Sequence, residues 1–302
     1  MIVERWRAEG VLTPEQAELL AGLARGEPVS VFLELNVLLY AGVVALVGGL
    51  GWTVSTWSEQ LGDLLVLAVL TSLFAGCVWY CFSRAEGVRG LVFDYVLYFG
   101  CLTWSVELAF IEKRFHLLAG EWDFYLLASA VLFGFFAYRF DNRFVLSLAL
   151  SSLAGWFGLT ISHWRVRQNS VYRQYGVLYS LVVATVGVGM ERRGWRPHFL
   201  GTYLHVATNV FFWAVLSGVF ELDGYWIWFL ALGAACGGSV VWGLKREYAF
   251  VAYAAVYGYV GVTSLLLRNF HDAYVVFLYF IVSGLGMVAL LVSIARRAGR
   301  RS

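Results

Sequence analysis

The sequence predicts an all-α, polytopic transmembrane helical bundle of about ten spans, preceded by a short cytosolic helical hairpin. Three observations predict it. Of the 302 residues, 60% are hydrophobic and only 14% charged, against about 25% charged in a soluble domain. The charges lie between long apolar blocks instead of being scattered over the chain. The connections are short, and the longest, around 112–123 and 163–173, leave no room for a second soluble domain.

The first element is the stretch VERWRAEGVLTPEQAELLAGL, residues 3–23. A short helix over 2–9 ends at Gly10, which tolerates a left-handed C′ conformation. Thr13-Pro14-Glu15-Gln16 then supplies an N-cap, a proline at the first helical position and a glutamine three residues after the cap. The second helix runs to about Ala24 and stops at Gly26, with Pro28 beyond. Val3 and Trp6 on the first helix can face Ala17, Leu20 and Leu23 on the second. So small a unit is marginal alone, and it is expected to rest on the membrane domain or on a cytosolic protein partner. The polar first 30 residues lack the early apolar core of a cleavable signal peptide.

A helix crosses a bilayer with roughly 17–25 apolar residues. On that criterion spans are expected at 35–57, 62–82, 91–111, 124–140, 144–162, 174–190, 199–220, 225–244, 248–267 and 273–294. The domains are therefore a hairpin over 1–28 and a bundle over 29–302. With the N-terminus inside, cytoplasmic segments hold 16 of the 22 Lys and Arg residues and external ones 6. That bias places both termini in the cytoplasm. Trp52, Trp57, Trp122, Trp164, Trp226 and Trp228 fall at the outer ends of their spans, where indole rings favour the headgroup level.

Leu39-Tyr40-x-x-Val43-Val44-Ala45-x-Val47-Gly48 matches Leu178-Tyr179-x-x-Val182-Val183-Ala184-x-Val186-Gly187. Gly62, Leu65, Ala68 and Ala75 align with Gly201, Leu204, Ala207 and Ala214 at the same offset. Five spans separate the two starts, so a 5+5 inverted repeat with halves 31–162 and 170–294 is expected.

The hairpin followed directly by LLYAGVVALVGGLGWTVSTW resembles a widespread family of uncharacterised bacterial multi-pass membrane proteins, defined as a domain of unknown function. FAYRFDNRFVLSLALSSLAGWFG is similar to its middle spans. The resemblance covers the first half of the chain. It implies a bacterial cytoplasmic (inner) membrane and an N-terminal cytosolic module, and it transfers no site residues.

A net charge of +2 and the absence of a basic, aromatic-interleaved stripe exclude nucleic acid as a partner. Cys77, Cys81, Cys101 and Cys236 lie in apolar stretches and read as buried free thiols. Cys77 and Cys81 share a helix face but lack further ligands nearby, so no metal is expected. Haem would need a second deep histidine, and His116, His163, His198 and His271 all lie near span ends; no cofactor is expected. The chain has no H-E-x-x-H, no G-x-S-x-G and no G-x-x-x-x-G-K-[ST]. No nucleophile–base pair stands out, and no enzyme activity is expected.

Ionisable and polar groups inside a bilayer are costly and mark candidate sites. Glu34 and Asp94 sit near the cytoplasmic ends of the first and third spans, where interfacial placement accounts for them. Glu107 is deeper, with Arg114 two turns on as its expected partner. The most central cluster is TYLHVATN, in which His205 and Asn209 are four apart and share one face. Phe250, Tyr253 and Tyr257 form a stripe at helical spacing, of interest if it meets the His205 face. Ser217-Gly218, Ser283-Gly284 and the Gly233–Gly237 pair read as close helix packing. Two functions fit: a transporter for a small solute or ion with His205, Asn209 and Glu107 on its pathway, or an anchor that docks a partner through the hairpin. No span contains proline, so broken helices would have to break at glycine, near 48–51, 233–238 or 284–286.

Overall fold

In lipid a backbone must satisfy its own polar groups, so each apolar block closes into a helix. The computed structural model describes residues 13, 32–85, 91–117, 122–163, 169–221, 224–269 and 272–299. The expected hairpin over 1–28 lies outside the described residues, apart from Thr13. Among them the elements are α1 (Phe32–Leu61), α2 (Asp63–Ser83), α3 (Leu91–Phe115), α4 (Trp122–Phe140), α5 (Arg143–His163), α6 (Asn169–Arg192), a 3-10 turn (Pro197–Phe199), α7 (Leu200–Val219), α8 (Tyr225–Lys245), α9 (Ala249–Asn269) and α10 (Ala273–Gly299). These ten helices coincide with the ten expected spans, and the described residues contain no strand.

Nine of the ten are long and apolar enough to cross a membrane; α6 is not. Its glycines, tyrosines and Gln174 lower its hydropathy, but its register settles its course. A Cβ on Gly176 would lie 3.0 Å from Ala214, and one on Gly187 2.6 Å from Tyr203. Both pairings fit one antiparallel register, so α6 runs alongside α7 for most of that span. The three glycine-rich stretches considered as breaks lie inside unbroken helices, α1, α8 and α10. Nothing in the described spans has the discontinuous form.

Two helix ends show how local sequence directs the chain. After α4, Asp141 takes a positive φ of 56°, and Asn142 N–H reaches back to Ala137 O at 3.0 Å. The Asn142 carboxamide then accepts from Val145 N–H at 2.9 Å and caps α5. After α6, Gly194 sits at φ 68° while Trp195 N–H bonds Met190 O at 3.0 Å, a Schellman ending that uses glycine at C′.

The chain divides into two compact units, Met1–Glu107 and Leu108–Ser302, within α3. This boundary does not coincide with the sequence halves 31–162 and 170–294. In the first unit α2 and α3 run antiparallel: Phe74 packs on Trp104 with centroids 5.1 Å apart, and Cys77 lies against Gly100. Tyr40 of α1 meets Tyr95 and Tyr98 at 4.8 and 5.3 Å.

In the second unit α7 is the hub, touching α5, α6, α8 and α9. Its buried face joins α8 in a core of Phe212, Val215, Leu216, Val219 and Leu232. The tightest contacts are made at glycines: Gly218 under the Trp228 ring, Gly243 against Val251 and Gly261 against Leu232. The expected packing at Gly233 and Gly237 is not found. Both are exposed, and a Cβ on either would meet nothing within 4 Å. A small-residue stripe states that a helix can approach, not that one does.

Candidate functional site: a polar ladder beside a lateral cleft

In α7 the four-residue spacing sets His205 above Asn209 on one face, and in α9 Phe250, Tyr253 and Tyr257 form the facing stripe. The two helices run parallel, and the structure pairs the stripes rung by rung. Tyr253 Oη lies 3.2 Å from His205 Nδ1. The Tyr257 hydroxyl donates to Asn209 Oδ1 at 2.9 Å, and Asn209 Nδ2 donates to the His205 carbonyl at 2.8 Å. His205 stacks face to face on Phe250, centroids 4.9 Å apart and planes 9° apart.

The first rung is Glu247, whose Oε1 lies 3.1 Å from His205 Nε2. A neutral imidazole that donates from Nε2 to this carboxylate accepts the Tyr253 hydroxyl proton at Nδ1, so a single tautomer satisfies both bonds. Glu247 is 50% and His205 28% exposed along the side chain, so the ladder opens to solvent at the Glu247 end. Glu247 lies two residues before α9, and Tyr257 lies eight residues along it from Ala249, roughly 12 Å of helix. There Tyr257 stacks on Phe212 at 4.7 Å, and the dry core begins.

An adjoining face of α7 borders a cleft with α6 and α8, to which α9 adds Phe250. Its body, about 410 Å³, is lined by apolar groups including Leu181, Phe211 and Trp242, with Ser180, Thr208 and Ser239 as its hydroxyls and no charged residue. Leu204, Trp242 and Phe250 also line an outer chamber of about 220 Å³ that carries Glu191, Arg246 and Glu247. The two chambers form one cleft with a charged mouth. At the other end of these helices α7 and α8 are closed by Trp228 on Gly218.

That closed end holds a buried cation. Arg173, 3% exposed, pairs with Glu221 and donates from Nε to Ser217 Oγ at 3.3 Å. Its guanidinium lies 4.5 Å from the Trp228 ring centroid. Arg268 donates to the carbonyls of Val219 and Glu221 at 2.6 and 2.7 Å, at the C-terminus of α7 where cations are favoured.

The structure thus brings together His205, Asn209, Tyr253 and Tyr257. Glu107 belongs to the first unit: it is 5% exposed, and Oε1 accepts the Thr71 hydroxyl while Oε2 has no hydrogen-bond partner among the described residues. Thr71 on the neighbouring helix therefore takes the place expected for Arg114, which lies two turns along the same helix, about 10 Å away. Asp94 lies half-buried in the first turn of α3; Glu34 falls in the first turn of α1. Sequence reading passed over Glu247, Arg173 and Glu221. Glu247 continues the Phe250–Tyr253–Tyr257 stripe one turn back, and extending that spacing past the span end would have found it. Among the described residues no group of His, Cys, Asp and Glu is arranged to hold a metal ion, and all four cysteines are free thiols.

Nine helices long and apolar enough to cross a membrane among the described residues, with polar side chains turned onto one another, define the class: a multi-pass helical membrane protein. Residues 4–146 match the profile of a family described as Predicted membrane protein (DUF2157). This is the uncharacterised family that the N-terminal sequence resembles, and the match spans just under half of the chain. Neither a curated protein nor a solved structure matches the chain.

Proposed function

We propose that this protein is a transporter-like carrier of a small solute or ion in the bacterial cytoplasmic membrane, and that the α7/α9 ladder is its ion- or proton-handling element. The observation that carries this reading is the run of hydrogen bonds from Glu247 through His205 and Tyr253, continued by Asn209 and Tyr257 and stopped by a dry core. A path open at one end and sealed halfway suits alternating access better than a continuous pore. Histidine, which changes charge near neutral pH, suits a relay. An anchor has no need of such a path. The reading assigns no catalytic chemistry. A docking role for the hairpin over 1–28 is compatible with it and rests on the sequence.

The test is proton flux into proteoliposomes under a potassium diffusion potential, expressed per folded molecule and read with melting temperature. His205→Ala and Asn209→Leu are expected to reduce flux per folded molecule to a small fraction, at a stability cost of about 0.6–2 kcal/mol for each lost interhelical contact. If the pair serves only as interhelical glue, flux per folded molecule stays unchanged in both variants. That result removes the ladder from the pathway.

The 16-to-6 partition of Lys and Arg supports termini on the cytoplasmic side. Single cysteines placed in 58–61 and 221–224 are expected to react with an impermeant thiol reagent from outside, and those in 85–88 only after permeabilisation. Labelling of 85–88 in intact cells would reverse the orientation.

A further inference from the structure

The cleft between α6, α7 and α8 adjoins the ladder and shares Glu247, Phe250 and Phe212 with it, but its test reads bound lipid and not flux, so a ligand site there and the proposed ion path fail separately. Leu181 and Trp242, which line it, are 56% and 41% exposed, so the cleft opens sideways along the length of the spans. In a bilayer that opening faces hydrocarbon, not water. Its depth, from Leu200 at the mouth to Phe212 at the floor, is roughly 18 Å of helix, close to half of a hydrocarbon core of about 30 Å. An uncharged cleft of one leaflet's depth fits one acyl chain.

The mouth states which headgroup. Arg246 is 61% and Glu191 36% exposed along the side chain, and their charged groups approach to only 3.9 Å. Glu247 lies on the same chamber wall. Arg246 also lies 5.6 Å from the Trp242 ring centroid, the cation and indole pairing of a membrane interface. One guanidinium flanked by two carboxylates complements a group with one anion and one cation. A purely anionic headgroup would meet two carboxylates, and a quaternary ammonium could not donate hydrogen bonds to them. We propose that the cleft is a binding site for a zwitterionic aminophospholipid of the phosphatidylethanolamine type. One acyl chain lies between α6, α7 and α8, the phosphate on Arg246 and the primary ammonium between Glu191 and Glu247.

Gly238 supplies the test. It lines the cleft, and a Cβ there would meet nothing within 4 Å, so the side chain of Gly238→Phe starts into open cleft space. Gly237 is equally unobstructed and does not line it, which makes Gly237→Phe the control. The full chain in nanodiscs of phosphatidylcholine, supplied with phosphatidylethanolamine or phosphatidylglycerol, is analysed by native mass spectrometry for retained lipid. Wild type and Gly237→Phe are expected to retain phosphatidylethanolamine in preference to the other two, and Gly238→Phe to retain none. Arg246→Gln is expected to weaken retention about fivefold, the worth of one basic residue at a lipid surface. A photoreactive phosphatidylethanolamine with a diazirine in its acyl chain gives a readout that needs no variant. It should label the 204–212 segment of α7 in the wild type. Equal retention by Gly238→Phe and Gly237→Phe overturns the site, as does labelling confined to other helices. Retention of phosphatidylglycerol equal to phosphatidylethanolamine overturns the headgroup assignment.

Discussion

Replacing Arg173 with alanine is expected to destabilise the folded protein by about 3 kcal/mol, the lower end of the range for removing one partner of a buried ion pair. Arg173 is 2% exposed along its side chain and Glu221 32%. The guanidinium is thus the desolvated partner, while water reaches the carboxylate left behind and softens the loss. The substitution also removes the bond to Ser217 Oγ and the contact with Trp228, so α6 loses its grip on α7 and α8 together. Arg173→Lys should recover part of the loss, because an ammonium keeps the charge but neither forks to two acceptors nor stacks flat on an indole. Denaturation in mixed micelles measures both. A loss below about 0.5 kcal/mol for the alanine variant, the scale of an ordinary surface change, would show that the pair is not a structural clamp.

The second large effect is expected at Gly218. An alanine there would drive its Cβ into Trp228 Cγ and place it 2.5 Å from Cδ2. The indole cannot withdraw easily, because it packs on the α7/α8 core and carries Arg173 on its ring. Overpacking of this kind costs about 1–3 kcal/mol, and the shortness of the contact puts Gly218→Ala at the upper end. Gly237→Ala, with an unobstructed Cβ, should be neutral or stabilise by up to about 1 kcal/mol through helix propensity. The same chemical change is therefore expected to have opposite signs at two glycines on neighbouring helices. Equal melting temperatures would mean that α8 slides freely on α7, and the closed end would not be closed.

The helices were legible because a bilayer allows few alternatives: long apolar blocks separated by charge have one structure available to them. The ladder was half legible. Spacing on α7 put His205 and Asn209 on one face, and spacing on α9 did the same for Tyr253 and Tyr257. That the two faces meet is a fact of bundle geometry which no single helix encodes. Glu247 was hidden by its position just outside a span, where a carboxylate is expected to be hydrated and idle. Arg173 was hidden in the same way, counted as an external charge when it is buried against Trp228. The glycines misled in the other direction. Gly233 and Gly237 have the spacing of a contact and face none, Ser217-Gly218 makes the close contact expected of it, and Gly187 and Gly261 make contacts that no motif announces. Composition records where two helices are able to approach; the partner that fills the space belongs to tertiary structure.

The contact of Trp228 with Gly218 also works as a fulcrum. From it to Trp242 is fourteen residues of α8, a lever arm of roughly 21 Å. A rocking of α8 by about 10° on that pivot swings Trp242 through roughly 3.6 Å, comparable to the separation of two carbon atoms in van der Waals contact. Because Gly243 packs on Val251 at the far end of α8, α9 would travel with it, and access to the inter-helix space would be graded by a small angle without any helix unwinding.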